Sequence, residues 1–485
     1  MAKESVIETQ ANLDFETFKE NVIQDYKLAT LSREASLLGR REVLTGKAKF
    51  GIFGDGKELA QIALSKQFQN GDFRSGYYRD QTIMMAIDQL TVQQYFAGLY
   101  AHTDVAQEPQ SAGRQMGGHY STRNLESNGD WKNLMEQKNS SADISPTAGQ
   151  MPRLLGLANA SKVYRQNPSL AQLDEFKKFT NGGNEVAFGT IGDASTSEGP
   201  FWETINAAGV LQVPMVMSVW DDGYGISVSR EHQTTKDSIS EALAGMQRTK
   251  DKPGYEIFVT KGWDYAHLCE TYEKAVALAR AEHIPVLVHV KEVNQPQGHS
   301  TSGSHERYKD AARLQWEVDF DCIAKFKEWI LNFDADGSSI ATKEELESIE
   351  KASKTSVRDQ KNAAWSAFLN DMKEDHTNAV SLLKALGSES ENGVFINKMA
   401  EELEKAMDPI RKDILSTARK ALRIARSENL NSKNALSTWI KEQINVNNDR
   451  YSSHLYDETE TSALKVTPIA PTYDNEVKME DGRLI

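Results

Sequence analysis

Cysteine is nearly absent from this chain: 485 residues hold two, Cys269 and Cys322. Two are too few for a disulfide framework or a cysteine zinc site, so both read as buried thiols of a reducing compartment. Positive charge is also short. There are 56 Lys and Arg against 70 Asp and Glu, a formal net charge of −14. That balance argues against nucleic acid and anionic membrane as partners, although a small anionic substrate responds to local charge instead. No apolar run reaches membrane-spanning length. The opening residues, MAKESVIETQANLDFETF, have neither a signal-peptide pattern nor the Arg-rich character of a transit segment. The default is a cytoplasmic protein, long enough for one large α/β domain plus a smaller one.

What the chain does have is an α/β texture. Residues 14–45 carry Phe15, Phe18, Val22, Tyr26, Leu28 and Leu31 at helical spacing, and 57–69 and 81–100 read as two further helices. Residues 103–150 are rich in Gly, Ser, Asn and Gln, and a polar stretch of this length inside a domain predicts a functional loop. Strands are expected at Val186–Ile191, Val213–Val219, Ile257–Thr260 and Val286–Val293, with helices at Trp202–Leu211 and Ala266–Glu282 between them. This alternation predicts a mainly parallel sheet with helices on both faces.

The stretch from Gly192 to Tyr224 is the most informative. It reads strand, acidic turn, helix, strand, acidic turn. Parallel neighbours joined by a crossover helix bring both turns to the carboxyl edge of the sheet, where open α/β sheets bind ligands. Asp193 and Asp222 would then sit side by side and repel unless a cation lies between them. Gly192, Ala194 and Ser195 would let the backbone approach a phosphate. Magnesium held by carboxylates and a diphosphate is one solution to that geometry. Spacing alone fits equally well two ordinary turns with helix-capping aspartates.

The run Gly192–Ser227 (GDASTSEGPFWETINAAGVLQVPMVMSVWDDGYGIS) resembles the thiamine diphosphate motif, and Ser197-Glu198-Gly199 and Gly223-Tyr224 narrow the likeness. It is similar to the alpha subunit of the thiamine-dependent first component of 2-oxo acid dehydrogenase complexes, over about residues 20–320, roughly two thirds of the chain. The resemblance implies a thiamine diphosphate-binding α/β fold. It implies oxidative decarboxylation of a 2-oxo acid, with acyl transfer to the lipoyl group of an acyltransferase partner. Asp193, Asp222 and the Tyr224 carbonyl would hold magnesium. Tyr78 and Arg79 match a Tyr-Arg pair that grips the diphosphate. Gly113–Tyr120 (GRQMGGHY) resembles the block before an active-site histidine, which makes His119 a candidate. Ser145 and Thr147, in Ser145–Pro152 (SPTAGQMP), match cofactor-contacting positions. His299, in Gly298–Ser302 (GHSTS), matches the pocket histidine, and Ser300 a serine that is phosphorylated in some relatives. The plainer reading of Ser300 is an unmodified loop residue. The His-Ser-Thr-Ser, Gly-Arg-Gln-Met and Ser-Pro blocks lean towards branched-chain substrates over pyruvate. An acetoin- or pyruvate-using relative, or a scaffold with a decayed cofactor site, are the rival readings.

Several positions depart from the family pattern. Asp221-Asp222 replaces Asn-Asn, and Ala194 replaces a glycine. Trp220 and Gln295 stand where arginines are expected. Gly149 stands where a threonine helps hold a monovalent cation. Nothing here resembles the beta part that supplies the glutamate activating the aminopyrimidine, so the chain alone is expected to be catalytically incomplete and part of an oligomer. The domain reading is 1–320 for cofactor binding, 321–450 for a charged helical region and 451–485 for a linker. The last residues, Glu480–Ile485, are similar to the start of a beta subunit, which suggests a cut near the junction of a fused alpha–beta protein. In Asn332–Glu345, Asp334, Asp336 and Gly337 stand at calcium-loop positions, but Ile340 and Glu344 fall one residue late. The plainer reading is a turn before a helix with a Thr342–Glu345 capping box.

Overall fold

The computed structural model describes residues 14–453 and, past them, 457, 459–460, 462–470, 472, 479–480 and 483–484. The reading of residues 1–13, and the part of the beta-like similarity carried by Asp481, Gly482 and Ile485, lie outside the described residues. The main sheet contains β1 (Phe73–Ser75), β2 (Asn139–Ser140), β3 (Ala187–Gly192), β4 (Met215–Trp220), β5 (Glu256–Lys261) and β6 (Val286–Lys291). The helices of six residues or more are α1 (Phe15–Leu44), α2 (Glu58–Ser65), α3 (Gln81–Ala86), α4 (Val92–Leu99), α5 (Met151–Gln166), α6 (Gly199–Leu211), α7 (Tyr265–Glu282), α8 (Ala311–Asp319), α9 (Cys322–Asn332), α10 (Lys343–Glu389), α11 (Gly393–Glu404), α12 (Arg411–Ile424) and α13 (Asn431–Ser452).

The sheet is parallel throughout, in the order β2-β1-β3-β4-β6-β5. β3 and β4 are neighbours, joined by α6, and Gly192 lies opposite Trp220. Their carboxyl ends are therefore level, and the two acidic turns leave the sheet side by side. Side chains alternate across it, as the two-residue repeat of a strand requires. Met215, Met217 and Val219 of β4 pack with Leu154 and Ala158 of α5 and Phe201 and Ile205 of α6. Val216 and Trp220 turn to the opposite face, towards α2 and α7. Each such buried side chain contributes about 1.5–3 kcal/mol, so both faces are covered by necessity. The expected α/β class with helices on both faces is what the chain forms.

Differences from the sequence reading have local causes. β1 and β2 span three and two residues, too short for any periodicity to register. The strand expected from Val213 starts at Met215, after Pro214, which has no N–H to give to the ladder. The helix expected over 81–100 is two helices. Asp88 takes φ +61, and Thr91 then starts α4 afresh through a capping box with Gln94.

Beyond residue 320 no strand occurs among the described residues up to 445. α10 has 47 residues, a length of about 70 Å at 1.5 Å per residue. Its N-terminal half lies along α1, where Tyr26 Oη donates to Glu350 at 2.6 Å and Thr30 and Ser353 hydroxyls meet at 2.9 Å. Its C-terminal half forms a separate core with α11–α13 around Leu383, Leu386, Ile396, Ala418 and Leu436. The Thr342–Glu345 capping box is formed, and Asp334 accepts the Gly337 N–H at 2.7 Å. Among the described residues no helix is long and apolar enough to cross a membrane.

Candidate active site

β3 ends at Gly192, and Asp193 opens a tight turn (Ala194–Ser197) that leads into α6. A Cβ on Gly192 would meet only Tyr77, at 3.9 Å, so the backbone there fronts open space. A Cβ on Gly225 would lie 2.7 Å from the Ala194 methyl, so glycine at 225 makes room for alanine at 194. In front of these turns is a cavity of about 320 Å³. Ten of the residues singled out from the sequence line it: Tyr78, Arg79, Thr147, Gly192, Asp193, Ala194, Ser195, Asp222, Tyr224 and His299. His119 and Ser145 do not. A larger cleft, about 1090 Å³, lies between the 103–142 loop and the end of α13 and holds none of these residues.

The three aspartates differ sharply. Asp221 is fully engaged: Oδ2 accepts from Arg230 at 2.9 Å and meets His289 Nε2 at 3.0 Å, and Oδ1 accepts the Gly223 N–H. Burial alone would raise its pKa, but His289 and Arg230 outweigh burial and hold it below the usual carboxylate range. Asp222 accepts the Tyr224 N–H at 3.1 Å and pairs with Lys57 Nζ at 3.3 Å. Asp193 is 6 % exposed and its Oδ2 has no partner. Burial, then the charges of Asp222 and Asp221, push it well above the usual range. A buried carboxylate oxygen without a donor costs about 1–3 kcal/mol, and a bound cation removes that cost. The orphaned Asp193 oxygen, the neighbouring Asp222 carboxylate and the small-residue turn fit a divalent cation with a diphosphate. Among the described residues no cluster of three or more His, Cys, Asp or Glu stands ready for a metal, so the remaining ligands would be backbone, phosphate and water.

The turn presenting Tyr78 and Arg79 rests on a buried network. Arg74 donates to Asp80 at 2.7 Å and to Asp143 at 2.9 Å, and Asp80 accepts the Tyr77 N–H. Arg79 donates to the Phe53 carbonyl at 2.6 Å and the His299 carbonyl at 2.9 Å. Its Nη2 also lies 3.1 Å from His299 Nδ1. A guanidinium only donates, so Nδ1 accepts and the His299 proton sits on Nε2. Burial, then the Arg79 charge, lowers His299 to about 4, so the ring is neutral at neutral pH.

The Gly113–His119 block is shaped by Glu108, whose buried carboxylate accepts N–H groups of Gln110, Ser111 and Gly113, each at 2.9 Å. His119 Nδ1 faces the Met116 carbonyl at 2.9 Å and its Nε2 lies 3.1 Å from Ser145 Oγ, so these two residues pair with each other. Ser300 is buried, its hydroxyl 2.7 Å from that of Ser302. A Cβ on Gly149 would come 2.7 Å from Ile144 Cδ1 and 3.0 Å from the Pro146 carbonyl oxygen, so a threonine there would require Ile144 to shift. Trp220 is fully buried in the core, and Gln295 accepts from Lys57 at 2.9 Å.

The model of the dehydrogenase E1 component matches residues 26–371. The chain belongs to the dehydrogenase E1 component family. Its match to the 2-oxoisovalerate dehydrogenase alpha subunit of Bacillus subtilis is 26% identical over 248 residues, 50% of this chain and 62% of that protein. With the human mitochondrial 2-oxoisovalerate dehydrogenase alpha subunit it is 24% identical over 318 residues, 65% of this chain and 61% of that protein. With the alpha subunit of acetoin:2,6-dichlorophenolindophenol oxidoreductase of Cupriavidus necator it is 27% identical over 171 residues, 35% of this chain and 47% of that protein. The chain thus spans about three fifths of the length of the 2-oxoisovalerate relatives. The E1 match runs past residue 320 into α10, which packs against α1 and α4.

Two residues of this E1 site escaped the sequence reading. Tyr77 lines the cavity with a buried hydroxyl that has no partner. Lys57 is 1 % exposed at the start of α2. A signal for Lys57 existed: a cation at a helix N-cap opposes the helix dipole and lacks the acceptor that capping favours.

Proposed function

We propose that this chain is the diphosphate- and metal-binding alpha part of a thiamine diphosphate-dependent 2-oxo acid dehydrogenase, with a branched-chain 2-oxo acid favoured. The observation that carries the reading is the unpartnered Asp193 Oδ2 beside Asp222 at one cavity edge. The names of the Bacillus and human relatives support the substrate class. When bound, thiamine diphosphate supplies the electron sink for loss of carbon dioxide from the 2-oxo acid. Asp193, Asp222 and the Tyr224 carbonyl hold magnesium. Tyr78 and Arg79 grip the diphosphate, with Gly192, Ala194, Ser195 and Thr147 shaping the space around it. His299 offers a neutral Nε2–H donor to the substrate carboxylate, kept in that tautomer by Arg79. His119 and Ser145 pair with each other and order the adjoining loop. A beta part would close the site, and a lipoyl acyltransferase would be the acyl acceptor.

The Cupriavidus relative favours a second reading, an acetoin-type thiamine enzyme. The test is turnover by the full chain co-purified with its beta partner on 2-oxoisovalerate, pyruvate and acetoin, with and without thiamine diphosphate and magnesium. Turnover of 2-oxoisovalerate that needs both cofactors and the partner is expected. Preference for acetoin would move the reading to the second enzyme, and no turnover together with no cofactor binding would leave a scaffold.

A further inference from the structure

Lys57 is a buried charged residue at the site that neither the fold nor the motifs explain. It is held there deliberately. Gly56, at φ +86, lies so close to the loop after β6 that a Cβ would come 2.0 Å from the Asn294 carbonyl oxygen, so only glycine serves. Asp55 accepts the Gln297 N–H at 3.0 Å. Glu58, fully buried, accepts the Gly56 N–H at 2.8 Å and a two-pronged contact from Arg33 at 2.7 and 3.0 Å. Between these fixed points the lysine reaches Gln295 Oε1 at 2.9 Å and Asp222 Oδ2 at 3.3 Å.

The charges at the cavity then sort themselves. Asp221 is neutralised from behind by Arg230 and His289, and Arg79 is engaged with Phe53 and His299. Lys57 is the cation paired with the Asp222 carboxylate, while Arg313 donates to the Asp222 backbone carbonyl at 2.7 Å. We propose that Lys57 is the charge-balancing residue of the cofactor site: it neutralises Asp222, so the Asp193–Asp222 pair presents one net negative charge to the metal and the anionic diphosphate. Two bare carboxylates would repel a diphosphate, and breaking a buried pair by removing one partner leaves the other charge stranded. The positive charge missing at Gln295 is thereby supplied through the lysine that Gln295 itself holds in place. This inference rests on the cofactor reading proposed above.

The test is calorimetric binding of thiamine diphosphate with magnesium chloride to the full chain with its beta partner, with thermal unfolding followed in the same samples. Lys57→Met should weaken binding at least tenfold. Adding Asp222→Asn, which removes the stranded charge at constant shape, should restore binding to within about threefold of the parent. A structural ion pair would be rescued in thermal unfolding too, so the charge-balancing role is read from Kd: the loss and its rescue should appear in binding by samples that are fully folded at the titration temperature. Should Lys57→Met fail to fold, Asp222→Asn alone carries the test: its unbalanced lysine should cut the magnesium dependence of binding at least tenfold. A parent that binds while Lys57→Met binds equally well, or while the double variant is no better than the single, overturns the proposal and leaves the cofactor reading standing. An unchanged magnesium dependence in Asp222→Asn overturns it likewise. A parent that does not bind at all removes both.

Discussion

The turn after β3 and the turn after β4 stand side by side, are both acidic, and are treated in opposite ways. After β4, Asp221 is surrounded by His289, Arg230 and a backbone N–H, and Asp222 by Lys57 and another backbone N–H. After β3, Asp193 faces the cavity with an oxygen that nothing satisfies. The contrast separates two uses of a carboxylate. A paired one holds the edge of the sheet in shape, and an unpaired buried one is strain that a ligand relieves.

The largest expected effect comes from breaking the paired turn. Asp221→Ala leaves the fully buried His289 Nε2 without its partner and takes from Arg230 one of its two carboxylates, Asp237 remaining, and should lower stability by about 1–3 kcal/mol, read by chemical denaturation. The bare turn should respond the other way. Asp193→Asn removes a desolvated charge and should raise stability by about 1 kcal/mol while abolishing magnesium-dependent cofactor binding, at least a hundredfold in Kd by calorimetry. If Asp193→Asn destabilises as Asp221→Ala does, the two turns are alike and the contrast fails.

A pH experiment sharpens it at the third corner of the cavity. His299 has its folded value lowered to about 4, against about 6.5 unfolded. The unfolded chain therefore takes up a proton first as pH falls. The stability that neutral His299 contributes is complete above about pH 6.5 and is lost as pH drops towards 4. His299→Asn should flatten that window in denaturation curves between pH 4 and 7, and imidazole NMR of the parent should show this ring neutral at pH 5.5. The smallest effect is a control. Thr342→Ala removes the α10 cap, far from either turn, and should cost about 1 kcal/mol with no change in cofactor binding.

Much of this was legible in advance, and the reason lies in burial. Strands covered on both faces print long apolar runs, so the segments around Phe188, Val216 and Val288 announced β3, β4 and β6 within one or two residues. The level ends of β3 and β4 followed from the crossover rule, which placed Asp193 beside Asp222 before any coordinate. β1 and β2 left no print because two or three residues cannot show a repeat. The pairing of His119 with Ser145, and the grip of Arg79 on His299, depend on contacts 26 and 220 residues apart that no local pattern encodes. Lys57 reaches Asp222 across 165 residues, and only its awkward place at a helix start hinted at it.

Asp193, whose Oδ2 is unpartnered, is on this reading the carboxylate that completes the seat for a cation and a diphosphate beside Asp222. Calorimetric titration of the full chain with its beta partner, using thiamine diphosphate with and without magnesium, tests it most directly. Binding should require magnesium and disappear in Asp193→Asn, while that variant unfolds no earlier than the parent. Magnesium-independent binding, or binding that survives Asp193→Asn intact, would contradict it.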